Sequence, residues 1–308
     1  MLFRSPGDEL TPEVVLLNDK EVREEENIGS GKHKVAIKHP GFEIWKDEIV
    51  VPDDLPTYTL NAKLISLPRL IELAVGYDVS PSQEQSKKLG PYQVMLRNIS
   101  TEESVTLESG TKVKPSTYEV YIKRTAYNPF KDRIRIMPSL RPYKINTILE
   151  AKHRVVQGEV EFDIDPPAEL APHVIDFIDM GSRIRRTVKL GGTIKPGTYN
   201  SYVSKEGYKM VGGERRIMIE PDEMQYQIPK AMMEAEPRKI SFDTTYNGVS
   251  ISAKSILVNG KSYQFEPLKP ARYSVVIAFD QYETVEKDVI VPPGVGDYVA
   301  KVNLIPKK

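Results

Sequence analysis

The chain holds four histidines and no cysteine, which excludes thiolate nucleophiles, disulfides and cysteine-ligated metals. His33, His39, His153 and His173 make neither the H-x-x-x-H nor the H-x-H spacing that a catalytic zinc site uses. A Ser-x-x-Lys spacing occurs at Ser109 and Lys112, but in a Ser/Gly/Thr-rich loop and not at a helix start, where that motif works. No Gly-x-Ser-x-Gly elbow is present. Gly191-Gly192 and Gly212-Gly213 lie beside strand-like runs and read as turns or bulges, not as a phosphate cradle. Paired carboxylates for glycoside hydrolysis are defined by separation in space, so spacing along the chain leaves that chemistry open. Two further options are binding sites. Asp163 and Asp165 are the candidate calcium positions, with Asp53-Asp54 at a comparable place, though two carboxylates are a small start on roughly six to eight oxygen ligands. Trp45, the only tryptophan, is the candidate ligand contact, with a sugar ring as one partner and ordinary packing as the competing reading. Arg183, Arg185, Arg186, Lys189, Arg215 and Arg216 form a basic region that fits an acidic partner if they converge, or scattered surface charge if they do not. Glu24-Glu25-Glu26 reads as a solvated acidic loop.

Composition narrows the classes further. The 308 residues carry 43 basic and 43 acidic side chains, and 40% are hydrophobic, a globular balance. Zero net charge argues against a general nucleic-acid binder, which needs a basic surface to displace counterions. The longest apolar run, Val275 to Phe279, is far shorter than the roughly 20 residues needed to span a bilayer. The opening MLFRSPGDEL has no apolar core of a secretion signal.

The elements that would position any site come from an internal repeat. Four segments align on an aromatic ring (His33, Tyr118, Tyr199, Tyr273) followed by a second (Phe42, Tyr127, Tyr208, Tyr282). A proline then closes an apolar run at Pro52, Pro138, Pro221 and Pro292, and a tyrosine heads a last stretch at Tyr58, Tyr143, Tyr226 and Tyr298. From second ring to that tyrosine the spacing is 16, 16, 18 and 16 residues. Short β-branched runs such as Val35-Ala36-Ile37 and Val275-Val276-Ile277 are strands, and Tyr298, Ala300, Val302 and Leu304 alternate with period two. That alternation suits an antiparallel sheet with one face packed and one wet. Lys46-Asp47, Lys131-Asp132 and Lys287-Asp288 read as its solvated face. Gln83 to Leu89 is a short polar turn or loop helix.

The expected fold is therefore all-β: a tandem array of four small antiparallel sandwiches over residues 1–67, 68–152, 153–236 and 237–308. Boundaries fall near Pro68, His153 and Pro237, each beside an arginine (Arg69, Arg154, Arg238), with short linkers that imply a stiff array. The first unit lacks an opening strand, with Phe3-Arg4-Ser5-Pro6 resembling the tail of one. Either the chain is a piece of a longer array, or that sheet edge accepts a strand from another chain.

Leu16-Leu17-Asn18-Asp19-Lys20, Gly31-Lys32-His33-Lys34-Val35 and Pro40-Gly41-Phe42-Glu43-Ile44-Trp45 resemble the PEGA domain, with echoes at Val258-Asn259-Gly260-Lys261 and Glu206-Gly207-Tyr208. The resemblance covers about 35 residues of the first unit, and the PEGA tetrapeptide itself is absent. It implies small immunoglobulin-like or transthyretin-like sandwiches of bacterial surface and envelope proteins, a fold that does not name a ligand. The expectation for function is non-enzymatic: a structural or interaction protein, free of cofactors and joined to other protein subunits or to itself. Its setting is extracellular, the cell envelope or a virion. The alternatives are a polysaccharide- or protein-binding array, and an accessory segment of a surface enzyme.

Overall fold

A computed structural model describes residues 14–23, 26–54, 57–108 and 110–307. The proposed strand tail at Phe3–Pro6, the acidic residues Glu24 and Glu25, and Ser109 lie outside the described residues. The chain divides into two units, Met1–Ala151 and Lys152–Lys308, and each holds two sandwiches. Each sandwich has its own hydrophobic cluster. The first is centred on Val15, Val35, Ile37 and Leu60, and the second on Leu96, Ile122, Tyr127 and Leu149. The third is built on Phe177, Ile175, Ile219 and Met233, and the fourth on Ile240, Val275, Ile277 and Val291.

A four-stranded antiparallel sheet recurs in all four. Its central strand carries the first aromatic of the repeat: Gly31–Lys38, Ser116–Lys123, Gly197–Ser204 and Arg272–Ala278. The alternation of these strands, for example Val275 and Ile277 inward, places every second residue in the core. At the outer edge runs the strand bearing the charged pairs, such as Trp45–Val51 or Phe130–Ile136, with Lys46, Asp47, Lys131 and Asp132 exposed. Such charges protect an edge against pairing with stray strands.

The second layer departs from the antiparallel expectation in one respect. The stretch headed by the last tyrosine pairs in parallel with the opening strand of its own sandwich: Tyr143 opposite Ile71, Tyr226 opposite Val156, and Tyr298 opposite Ile240. The chain enters the opening strand and returns to the last one at the same end, so both run the same way. Period-two alternation is identical for either direction, which is why the pattern alone does not distinguish them. After the last strand, each chain segment bridges back to the second aromatic, at Phe42–Ser66, Tyr127–Ala151 and Tyr282–Pro306. Tyr208 pairs with Ala235 in the same way. Gln83–Leu89 is a helix of seven residues, with the Ser82 side chain accepting from the Gln85 amide at its start.

Candidate interaction surface

The three boundary arginines share one arrangement. Arg69 donates through Nε to the Arg141 carbonyl (2.6 Å) and through its Nη atoms to Met137 and Pro142 (3.0 and 3.3 Å). Arg154 reaches Met224, Glu220 and Gln225 carbonyls at 2.9, 3.0 and 2.9 Å. Arg238 reaches Gly296, Pro292 and Val295 at 2.8, 2.9 and 3.2 Å. Each guanidinium also lies over the tyrosine that heads the last strand, Tyr143, Tyr226 or Tyr298, at 5.2 to 5.7 Å from the ring centre. The register explains the repetition, because each arginine stands two residues before the partner of that tyrosine. A planar fork with several donors can hold a whole loop by its backbone, which a lysine cannot. Gly294 keeps the space open in the fourth sandwich, where an added Cβ would sit 2.8 Å from Arg238 Nη1.

These clasped loops carry the large aliphatic side chains that the fold leaves in water. Leu140, Met224 and Val295 stand two or three residues before the tyrosine and are 73%, 74% and 66% exposed. The same loops also form the junctions inside each unit. A Cβ on Gly41, in the first sandwich's turn, would lie 2.4 Å from the Ser139 amide nitrogen of the second sandwich's loop. A Cβ on Gly207 of the third would lie 2.7 Å from Gly294 of the fourth. Both glycines adopt positive φ (81° and 74°), so conformation and contact both select glycine. In the second unit the junction gains charge, since Glu234 accepts from Lys269 (2.6 Å) and pairs with Lys209 (3.2 Å). Those two lysines hold the Glu234 carboxyl below its ordinary range.

The residues singled out for chemistry are mostly engaged in structural bonds. Asp163 Oδ1 accepts from the Ile164 and Ala235 amides, both at 2.8 Å, and Asp78 does the same for Val79 (2.7 Å) and Ala151 (2.8 Å). Asp163 is thus a staple between the opening and last strands, and Asp165 is exposed beside it. Among the described residues no group of three or more His, Asp or Glu is arranged to hold a metal ion. Trp45 opens the edge strand of the first sandwich, half-buried against its core and opposite Ile37. Lys112 is in a two-residue strand, and Glu26 accepts from the Arg23 amide at 2.9 Å.

His33 fills the position that is tyrosine in the other sandwiches, and it makes their hydrogen bond. Tyr118, Tyr199 and Tyr273 donate to the carbonyl four residues upstream at 2.7, 2.8 and 2.5 Å. His33 Nε2 meets the Gly29 carbonyl at 2.8 Å, while Nδ1 lies 3.0 Å from the Asn18 amide nitrogen, so Nε2 carries the proton. His39, three residues before Phe42, packs edge-on against that ring at 5.1 Å. In the second and third sandwiches that position holds a buried cation. Arg124 donates to the Gly90 carbonyl (3.0 Å) and to the Ser86 hydroxyl (2.7 Å), and Lys205 donates to the Ala171 carbonyl (2.7 Å). His173, beside Phe162, has its imidazole pulled below the usual range by burial and by the Lys205 charge.

Of the basic set, Arg185 alone is tied to a buried acid. Asp176 projects from the outer side of the third sandwich's sheet yet is 0% exposed. Arg185 grips both of its oxygens (2.8 and 2.7 Å), and the Thr187 hydroxyl donates to Oδ1 at 2.5 Å. Burial pushes this carboxyl up, but the Arg185 and Thr187 hydrogen bonds and the guanidinium charge outweigh it, so it titrates below the carboxylate range. A depressed folded value means the stabilisation is complete above the unfolded value, about 4, and is lost as pH falls from there through the folded one. Acid titration of stability should therefore be shallower below about pH 4 in Asp176→Asn than in the parent; equal slopes would remove Asp176 from the account.

No protein-family model matches the chain, and no curated protein matches it. Similar solved structures include the Bacillus anthracis TIE protein, at 11% identity and TM-score 0.33, over 96% of this chain and 67% of that one. A streptococcal ancillary pilin is 11% identical with TM-score 0.24, over 78% of this chain and 99% of that one. The pilus adhesin SpaC of Lactobacillus rhamnosus GG is 8% identical with TM-score 0.26, over 84% and 42%. Among the described residues, no helix is long and apolar enough to cross a membrane.

Proposed function

We propose that this chain is a non-enzymatic structural and interaction protein, a stiff array of four sandwiches bounded at residues 1–67, 68–152, 153–236 and 237–308. It spaces or assembles other components at a cell surface, in a filament or in a virus particle. The observation that carries this reading is the repeated junction, in which the glycine turn of one sandwich meets the arginine-held loop of the next at backbone contact distance. Backbone against backbone leaves little room for bending, so each pair behaves as one body. The engagement of Asp163, Asp176 and His33 in structural bonds supports the same reading, because none of them is left to act on a substrate.

The PEGA-like character of the first sandwich is supported by its Asn18-Asp19 turn, with φ of 49° and 65°, repeated at Asn259-Gly260 with 48° and 75°. In both, the asparagine side chain accepts at 2.9 Å from an amide of the central strand, Lys34 or Ser274. Assembly by strand addition at Tyr58–Leu64 belongs to this proposal, since among the described residues no strand pairs with that stretch. The test is ¹⁵N relaxation on the full chain. Amides of the first and second sandwiches should share one rotational correlation time, as should those of the third and fourth. Independent values within either pair would defeat the stiff-array reading.

A further inference from the structure

The loop tips offer more than a spacer requires. A single exposed leucine needs no explanation, but the same position carries a large aliphatic in the second, third and fourth sandwiches. Near each loop, one residue before the anchor aromatic's cross-strand partner, a second site on the edge strand is also aliphatic in three sandwiches. These are Val50, Met218 and Ile290, each more than half exposed and opposite Lys32, Thr198 and Arg272. The arginine holds the loop by its carbonyls, so the tip is already ordered before it meets anything, and little freedom is lost on contact.

We propose that Leu140, Met224 and Val295 are contact points for a second copy of this chain, packed laterally. Three observations select that partner. Tips recurring once per sandwich fit a partner whose sockets recur likewise, and another copy of the chain is such a partner. The balance of 43 acidic and 43 basic residues leaves no net charge to hold copies apart. The same loops already join one sandwich to the next through Ser139 and Gly294, so association between chains extends an interface the molecule uses internally. Each tip alone contributes a small contact, and three engaged together multiply through effective concentration.

This inference rests on the array reading, and sedimentation separates the two. Sedimentation velocity of the full chain over a wide concentration range should show a shift from monomer to dimer. The triple variant Leu140→Ser, Met224→Ser and Val295→Ser should raise the dissociation constant at least about tenfold, with its melting temperature unchanged because the tips face water and the clasps use backbone. A parent chain that stays monomeric throughout, or a triple variant that dimerises as the parent does, overturns the proposal. So does tip-dependent flotation of a monomeric chain with phosphatidylcholine vesicles, which would assign the tips to a lipid surface. Failure of the array reading would appear in the relaxation data, not in sedimentation.

Discussion

Arg154→Met is expected to cost the third sandwich about 2–3 kcal/mol. The methionine matches the stem of arginine but abandons three carbonyls, those of Met224, Glu220 and Gln225, and the charge over Tyr226. Charge-assisted bonds are worth about 1.5–3 kcal/mol each when buried, and partial exposure of this loop lowers their sum. For a unit of this size the loss corresponds to roughly 10 °C in melting temperature, read by calorimetry. Arg154→Lys keeps the charge but offers one rotating ammonium in place of a fixed fork, so it should recover less than half of the difference. A methionine variant that melts with the parent would show that the clasp is decorative.

Gly41→Ala should destabilise the first unit by about 2 kcal/mol, of which the left-handed conformation accounts for about 1. The remainder is contact, because the new Cβ would meet the Ser139 nitrogen at 2.4 Å and Ser139 Cα at 2.8 Å, and neither is a flexible side chain that can swing away. The chain provides an internal comparison in Ala126, which occupies the equivalent turn with φ 68° and is packed in the second core. An alanine is therefore tolerable in this turn as a conformation, and the excess cost at Gly41 reports the neighbouring loop. Amide shifts at Ser139 in the variant are the accompanying sign. Their absence, together with a cost below about 1 kcal/mol, would mean that the junction adapts freely.

Much of this architecture was legible because it depends on periodicity and turn residues. The four rings at His33, Tyr118, Tyr199 and Tyr273 mark a position with one hydrogen bond to make, and the identity of the fourth side chain follows from that bond. The short helix over Gln83–Leu89 and the glycine turns were readable for similar local reasons. The arginine clasps were visible only as punctuation at the boundaries. Their distances to the tyrosines they cover vary along the chain, since the intervening loops differ in length, and only the pairing register makes them equivalent. The Asp176–Arg185–Thr187 group was hidden for a different reason. A carboxylate that alternation places on the wet face looks solvated until its neighbours across two strands are known. Asp163 illustrates the opposite hazard, where an acid near a boundary suggested calcium while its carboxylate secures two amides of the last and opening strands.

The central claim, that each sandwich stands on its own core, is tested by unfolding the Arg154→Met chain in denaturant while recording tryptophan fluorescence and far-ultraviolet circular dichroism together. Trp45 packs in the first core alone, so its transition reports that sandwich and no other. The account predicts an unchanged fluorescence midpoint, with part of the dichroism moving to lower denaturant. If both signals shift together as one cooperative transition, the chain folds around a shared core and the account is wrong.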